Sequence, residues 1–326
     1  MPLFDRYIAV DWSAANAPRL GRDSIWIGEL GPEGRTASEN APTRHAAMAS
    51  IGRRLESALG RGERTMIGFD FVFGYPKGAA AAIAGAPGWD ALWRFFGAAV
   101  SDQADNRSNR FALAERINAT LEDGPHFWGH PHQHSYTALG PRRPATAYAE
   151  LPERRMAERF VRSAQPVWKL VGAGSVGSQT LLGIARLHAL RTDPRFADRI
   201  AVWPFETGFA EDFGRPVTMV EIYPSLFPVT EADGLPRDRA QVEMCTSRYA
   251  ALDRDGLLGV FLSLPEDGAG GRPLHRLRRS PSTVNGGGSE APVVLDAEDR
   301  AVILGEEGWI AGAGHEAMLA EWRAAA

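Results

Sequence analysis

Two carboxylates stand where carboxylates are expensive. Asp11 ends the apolar run Tyr7-Ile8-Ala9-Val10-Asp11, and Asp70 ends Met66-Ile67-Gly68-Phe69-Asp70. An acid inside a buried strand must be paired, or must hold a cation. Two acids at the C-terminal ends of two strands predict a shared metal-binding or phosphate-facing site across a parallel sheet. Side chains alternate along a strand, so Asp11 shares a face with Ala9 and Asp70 with Gly68. These small neighbours predict room for an ion or ligand. Oxygen ligands of this kind suit Mg²⁺ or Mn²⁺. A pair of such ions about 4 Å apart activates water and stabilises the leaving oxygen in phosphodiester cleavage. Such a site needs more acids: Glu221, in Val217-Thr218-Met219-Val220-Glu221, is a third candidate ligand, and Asp255, with Asp253 competing, a fourth. The competing expectation is that these acids cap loops, pair with arginines, or sit at a helix N-terminus.

A second constellation is Gly172-Ala173-Gly174-Ser175-Val176-Gly177, which matches G-x-G-x-x-G after a strand-like Val167–Val171 and before a helical segment. A dinucleotide-binding turn has this form. The next acid able to meet a ribose is Glu206, too far along for the usual spacing of ~20 residues, and no run of further βαβ units follows. Two other expectations are a tight turn that lets a helix pack closely, and a phosphate contact. In the latter, Lys169, Gly172, Gly174 and Ser175 hold the anion at the helix start, opposite the carboxylates. His130, His132 and His134 alternate in a Pro- and Gly-rich loop, with His126 nearby, and read as solvated histidines rather than a zinc site. Asn106-Arg107-Ser108-Asn109-Arg110, before a helix, and Arg154, Arg155, Arg159 and Arg162 have the chemistry to contact phosphates, but among so many arginines and interspersed glutamates they read as solvated helix faces. Trp89, Trp93 and Phe96 fall at helical spacing and read as core.

The elements that must position these residues follow from periodicity and turn chemistry. Strands are expected at 6–12, 24–30 and near 35–38, then a helix starting by Thr43 with Met48, Ile51, Leu55 and Leu59 on one stripe, then the Asp70 strand. The opening order is therefore β-β-β-α-β. A helical and loop region covers 75–165, including a charged helix near 152–163. A helix at 178–191, strands at 200–205 and 217–223, and a helix from about 237 to 249 follow. Residues 265–292, rich in Gly, Pro, Ser and Arg, read as a flexible surface insertion. Arg272, Arg276, Arg278 and Arg279 lie within it. The whole chain of 326 residues reads as one elaborated α/β domain.

Composition narrows the classes. With 44% hydrophobic and 23% charged residues, the chain has a substantial core. No apolar run approaches the ~20 residues of a membrane span, and no basic leader with a cleavage site opens the chain. A lone cysteine, Cys245, excludes an internal disulfide and fits a cytoplasmic protein. A net charge of −4 argues against a strongly basic nucleic-acid footprint. Only Lys77 and Lys169 among the 36 basic residues are lysines, a skew that reflects base composition more than phosphate binding.

Acids on the first and fourth strands of a β-β-β-α-β start form the pattern of the ribonuclease H-like fold. The segments Ile8-Ala9-Val10-Asp11-Trp12-Ser13, Gly68-Phe69-Asp70-Phe71-Val72-Phe73-Gly74-Tyr75-Pro76, Val220-Glu221-Ile222-Tyr223-Pro224-Ser225 and Glu307-Gly308-Trp309-Ile310 carry a resemblance. They resemble landmarks of a bacterial and archaeal domain-of-unknown-function family described as predicted ribonuclease H-like nucleases. The resemblance implies a ribonuclease H-like mixed sheet flanked by helices, and metal-dependent cleavage of a nucleic acid or nucleotide. It implies Asp11 and Asp70 as the first- and fourth-strand acids, Glu221 as the acid of the E-x-Y-P strand, and Asp255 as the late helical acid, although Gly256 departs from the family's alanine. The expectation is thus a Mg²⁺- or Mn²⁺-dependent nuclease. Its rivals are a nucleotide-binding phosphotransferase or ATPase on the same core, a non-catalytic binding protein, and, last, a dinucleotide enzyme.

Overall fold

In the computed structural model the described residues are 1–145, 148–161, 163–210, 212–228, 236–265 and 295–325. Strand β1 (Arg6–Asp11) pairs antiparallel with β2 (Ile25–Leu30), which pairs antiparallel with β3 (Thr36–Ala41). Helix α1 (Arg44–Gly60) then crosses over to β4 (Thr65–Phe69), parallel to β1. Thr43 starts α1 as expected, its hydroxyl accepting from the Ala46 N–H at 3.1 Å. Between β4 and the next strand lie α2 (Ala79–Ala84), α3 (Trp89–Ala99), α4 (Arg110–Asn118), the single turn α5 (Ala157–Phe160) and α6 (Gly177–Thr192). Strands β5 (Ile200–Val202) and β6 (Val217–Glu221) complete a mixed six-stranded sheet of order β3-β2-β1-β4-β6-β5. Helix α7 (Arg237–Arg254), the short α8 (Leu258–Phe261) and α9 (Ala297–Val302), a π-turn at Ile303–Glu307 and α10 (Glu316–Ala325) follow.

Alternation along the strands divides the core in two. Ile8, Val10, Ile67, Phe69, Val217 and Met219 face Ile51 and Leu55 of α1, Leu92 and Phe96 of α3, and Leu181, Ile184 and Leu187 of α6. Tyr7, Ala9, Met66 and Val220 face Val242, Cys245, Tyr249 and Leu252 of α7. Helices thus cover both faces, which the nearly all-apolar central strands require. Gly28 lets α7 come close to β2, since a Cβ there would lie 2.7 Å from the Val242 carbonyl oxygen. Trp93 and Phe96 are buried in the core, and Trp89 stacks on Phe205 with ring centroids 4.8 Å apart.

Two elements differ from their expected form. Residues 167–171 make only an isolated bridge between Lys169 and Trp128, not a strand of the sheet. Among its described residues, which leave out Arg162, the charged stretch near 152–163 is helical only over Ala157–Phe160, and Arg155 is buried rather than solvated. The Arg272–Arg279 cluster and most of the 265–292 segment lie outside the described residues. Among the described residues, no helix is long and apolar enough to cross a membrane.

Candidate functional site

The parallel register of β1 and β4 sets Ala9 beside Gly68 and Val10 beside Phe69. The next step along both strands brings Asp11 beside Asp70, on the α7 face by the parity that places Tyr7, Ala9 and Met66 there. The two carboxyl groups are within hydrogen-bonding reach of each other. Asp70 Oδ1 also accepts from the Trp12 N–H at 2.7 Å. Among the described residues neither acid forms an ion pair with Arg, Lys or His. Burial pushes the Asp11 carboxyl well above the carboxylate range, and the neighbouring Asp70 charge pushes the same way. Burial also raises Asp70, to about 6, against the proton shared by Asp11 and the Trp12 N–H, which both pull it down. Like charges held this close favour one shared proton or one bound cation.

The space expected above Gly68 is filled: a Cβ there would stand 2.6 Å from the Ile222 side chain. The opening lies instead beyond the strand ends. A cleft of about 660 Å³ is lined by Asp70, Phe71, Asp23, Arg110, Glu221, Gly172–Val176, Ser178 and Gln179, among others. It sits at the carboxyl ends of the parallel strands, where open α/β sheets bind their ligands.

Glu221 does not join the pair. It stands in register with Phe69 rather than Asp70, and so belongs to the opposite face of the sheet. Arg155, 0% exposed, donates to it from both terminal nitrogens, Nη1 to Oε2 at 2.9 Å and Nη2 to Oε1 at 2.6 Å. The Phe73 N–H donates to the same Oε2 at 2.8 Å, and Glu158 takes the other edge of the guanidinium. With its oxygens committed, Glu221 is a structural anchor here, not a free ligand.

Asp255 does not join either. It ends α7 and accepts from the Trp322 indole N–H at 2.9 Å. Asp253 is likewise remote: it accepts from the Leu3 and Phe4 N–H groups at 2.7 and 2.9 Å and from the Tyr7 hydroxyl, tying α7 to the start of β1. Helix α7 therefore runs antiparallel to β1, and the 18 residues of the helix separate its ends by roughly 27 Å. The acid carried to the Asp11 end is Asp238, in the first turn, whose charge raises both Asp11 and Asp70. Its Oδ2 accepts from the Asp23 N–H at 2.7 Å, and Asp23, at φ 53°, adds its own charge against Asp11. The sequence signal for Asp238 is an acid just after Pro236 at a helix start. Assigning it required the helix direction. Among the described residues, no group of three or more His, Cys, Asp or Glu side chains is close enough to hold a metal ion.

The glycine loop forms one wall of the cleft. Gly172 and Gly174 take φ of 108° and 69°, which favour glycine. Gly177 permits close packing, since a Cβ there would lie 2.3 Å from the Val167 carbonyl oxygen. Lys169 is not among the residues lining the cleft: its Nζ donates to the Ala173 carbonyl at 2.6 Å and lies 5.7 Å from the Trp128 ring centre. Because no sheet strand precedes the loop and Glu206 pairs with Arg191 and Arg215, the dinucleotide arrangement is not formed. The histidines contribute elsewhere. His126 is buried against Tyr148 and Trp168, while His130 and His134 flank Tyr136.

No protein-family model, curated protein or solved structure matches this chain.

Proposed function

We propose that the protein is a divalent-cation-dependent hydrolase of phosphodiesters built on a ribonuclease H-like core. The observation that carries the reading is the Asp11–Asp70 pair: two carboxylates in register on neighbouring parallel strands, without a cationic partner among the described residues. The antiparallel β1-β2-β3 meander, the α1 crossover and β4 parallel to β1 fit that core; β5, at the outer edge beyond β6, is an addition to it.

Asp11 and Asp70 would hold a Mg²⁺ or Mn²⁺ ion, which when bound supplies Lewis-acid activation of water and charge stabilisation at phosphorus. The chain's own contributions are positional. Backbone donation from Trp12 fixes the Asp70 carboxylate, and the α7 N-terminus brings Asp238 as an outer negative charge. The cleft admits the substrate next to Asp70. The test is Mn²⁺ titration and cleavage of single- and double-stranded DNA and RNA by wild type and Asp11→Asn. The variant is expected to fold, to lose the metal isotherm and to lose cleavage. Wild-type cleavage by Asp11→Asn defeats the reading.

One observation favours a nucleotide phosphotransferase or ATPase instead: the Gly172–Ser175 loop lines the same cleft as Asp70. Thermal stabilisation by Mg²⁺-ATP, together with ADP release and no polynucleotide cleavage, selects this second reading.

A further inference from the structure

One cation on the cleft makes no ion pair among the described residues. Arg110, the first residue of α4, is 8% exposed and lines the cleft with Asp70 and the glycine loop. Its Nη1 donates to neutral acceptors only, Asn16 Oδ1 at 3.1 Å and Ser108 Oγ at 2.9 Å. Its Nε is buried without an acceptor among the described residues, and no carboxylate there lies within ion-pair distance of it. The Phe111 ring lies 4.4 Å from the guanidinium carbon. A buried guanidinium without an ion-pair partner is costly, because it has lost its water and gained no direct opposite charge.

The neighbourhood deepens the deficit. Arg44 and Arg186 both spend themselves on one carboxylate, Asp102, at 2.6 Å each. Arg44 also donates to the Ser13 and Ala15 carbonyls, holding the loop that presents Asn16 to Arg110. Three arginines thus share one acid. Burial lowers the Arg110 guanidinium to about 10, the charge of Arg44 acts in the same direction, and the charge of Asp102, already paired with Arg44 and Arg186, opposes them.

The start of α6 lines the same cleft and is also unsatisfied. Its N-cap residue is Val176, which offers no side-chain acceptor, and the Ser178 and Gln179 N–H groups find no acceptor among the described residues. A 16-residue helix carries partial positive charge at that end.

We infer that Arg110 and the first turn of α6 form an anion subsite that takes a tetrahedral phosphate group of the substrate, separate from the Asp11–Asp70 pair. A phosphate supplies charged acceptors both for the guanidinium and for the helix N–H groups. The subsite deepens the hydrolase reading by giving the substrate a second phosphate contact. It stands on its own geometry and needs no metal.

The test is calorimetric titration with inorganic phosphate in EDTA at constant ionic strength, on wild type, Arg110→Gln, Arg110→Lys and the Asp11→Asn/Asp70→Asn double variant. Expected is one saturable site in wild type, bound about tenfold more weakly by Arg110→Gln and intermediately by Arg110→Lys, and retained by the double variant. No saturable binding by wild type, or equal binding by a folded Arg110→Gln, overturns the inference. If Arg110→Gln does not fold, the wild-type and Arg110→Lys isotherms decide, and identical affinities count against it. Phosphate binding without any metal-dependent cleavage removes the hydrolase reading alone. Cleavage without phosphate binding removes this one alone.

Discussion

Two acidic sites sit at the ends of neighbouring strands of one sheet, and they are built in opposite ways. Glu221, ending β6, is answered on every side: Arg155 bridges it to Glu158, and the Phe73 N–H completes the shell. Asp11, ending β1, and Asp70, just past β4, are answered among the described residues by the Trp12 N–H and by each other. The first arrangement links the 150s loop to the sheet and leaves nothing for a ligand. The second stores unfavourable charge beside a cleft. Both place acidic residues at the C-terminal ends of strands. Charge compensation, not the presence of an acid, separates the anchor from the candidate site.

The comparison is broken or sharpened by four measurements. The largest effect is expected at the compensated site. Arg155→Ala strands two buried carboxylates and should lower the urea-measured stability by about 3–5 kcal/mol. A loss below 1 kcal/mol would mean the triad is not an anchor. Next, Asp70→Asn should weaken Mn²⁺ binding at least about 100-fold, a larger effect than losing an outer partner of a ligand. Glu221→Gln in a folded background should change Mn²⁺ affinity by less than about threefold.

The third measurement is pH dependence. Both acids of the pair have folded values above their unfolded ones, so the folded state binds more protons and stability falls as pH rises. For Asp70 the cost appears as pH climbs from about 4 through about 6 and is fully present above that. Wild type should therefore gain on the order of 1–3 kcal/mol relative to Asp70→Asn when pH drops from 7.5 to 4.5, and added Mn²⁺ should erase the difference at pH 7.5. A pH-independent difference between the two proteins would contradict the uncompensated pair. The smallest effects concern α7. Asp238→Asn should weaken Mn²⁺ binding about tenfold. Asp255→Asn should cost only about 1 kcal/mol through its bond to Trp322 and leave the metal isotherm unchanged. The reverse ranking would restore the assignment of the late acid to Asp255.

Much of the frame was legible from residues alone. The β-β-β-α-β opening, the Thr43 helix start and the α6 helix behind the glycine loop follow from period and turn chemistry, which are local. So does the placement of Asp11 and Asp70 at strand ends, because an apolar run ending in an acid marks its own boundary. What failed was non-local. Val167–Val171 has the composition of a strand, yet the sheet already pairs β4 with β6, and the segment bridges Trp128 instead. Arg155 looked like a solvated arginine among others, since nothing nearby in sequence announces two buried glutamates, one of them on a distant strand.

The amino-acid sequence by itself determined the β-β-β-α-β opening and that its first and last strands end in acids, because alternation and burial cost act over a few residues. Only the tertiary structure decided that Asp11 and Asp70 stand side by side while Glu221 faces the other way, since register sets the face. It also decided that α7 delivers Asp238 rather than Asp255, and that no carboxylate among the described residues pairs directly with Arg110. Helix direction and charge compensation are properties of chain segments that meet in space.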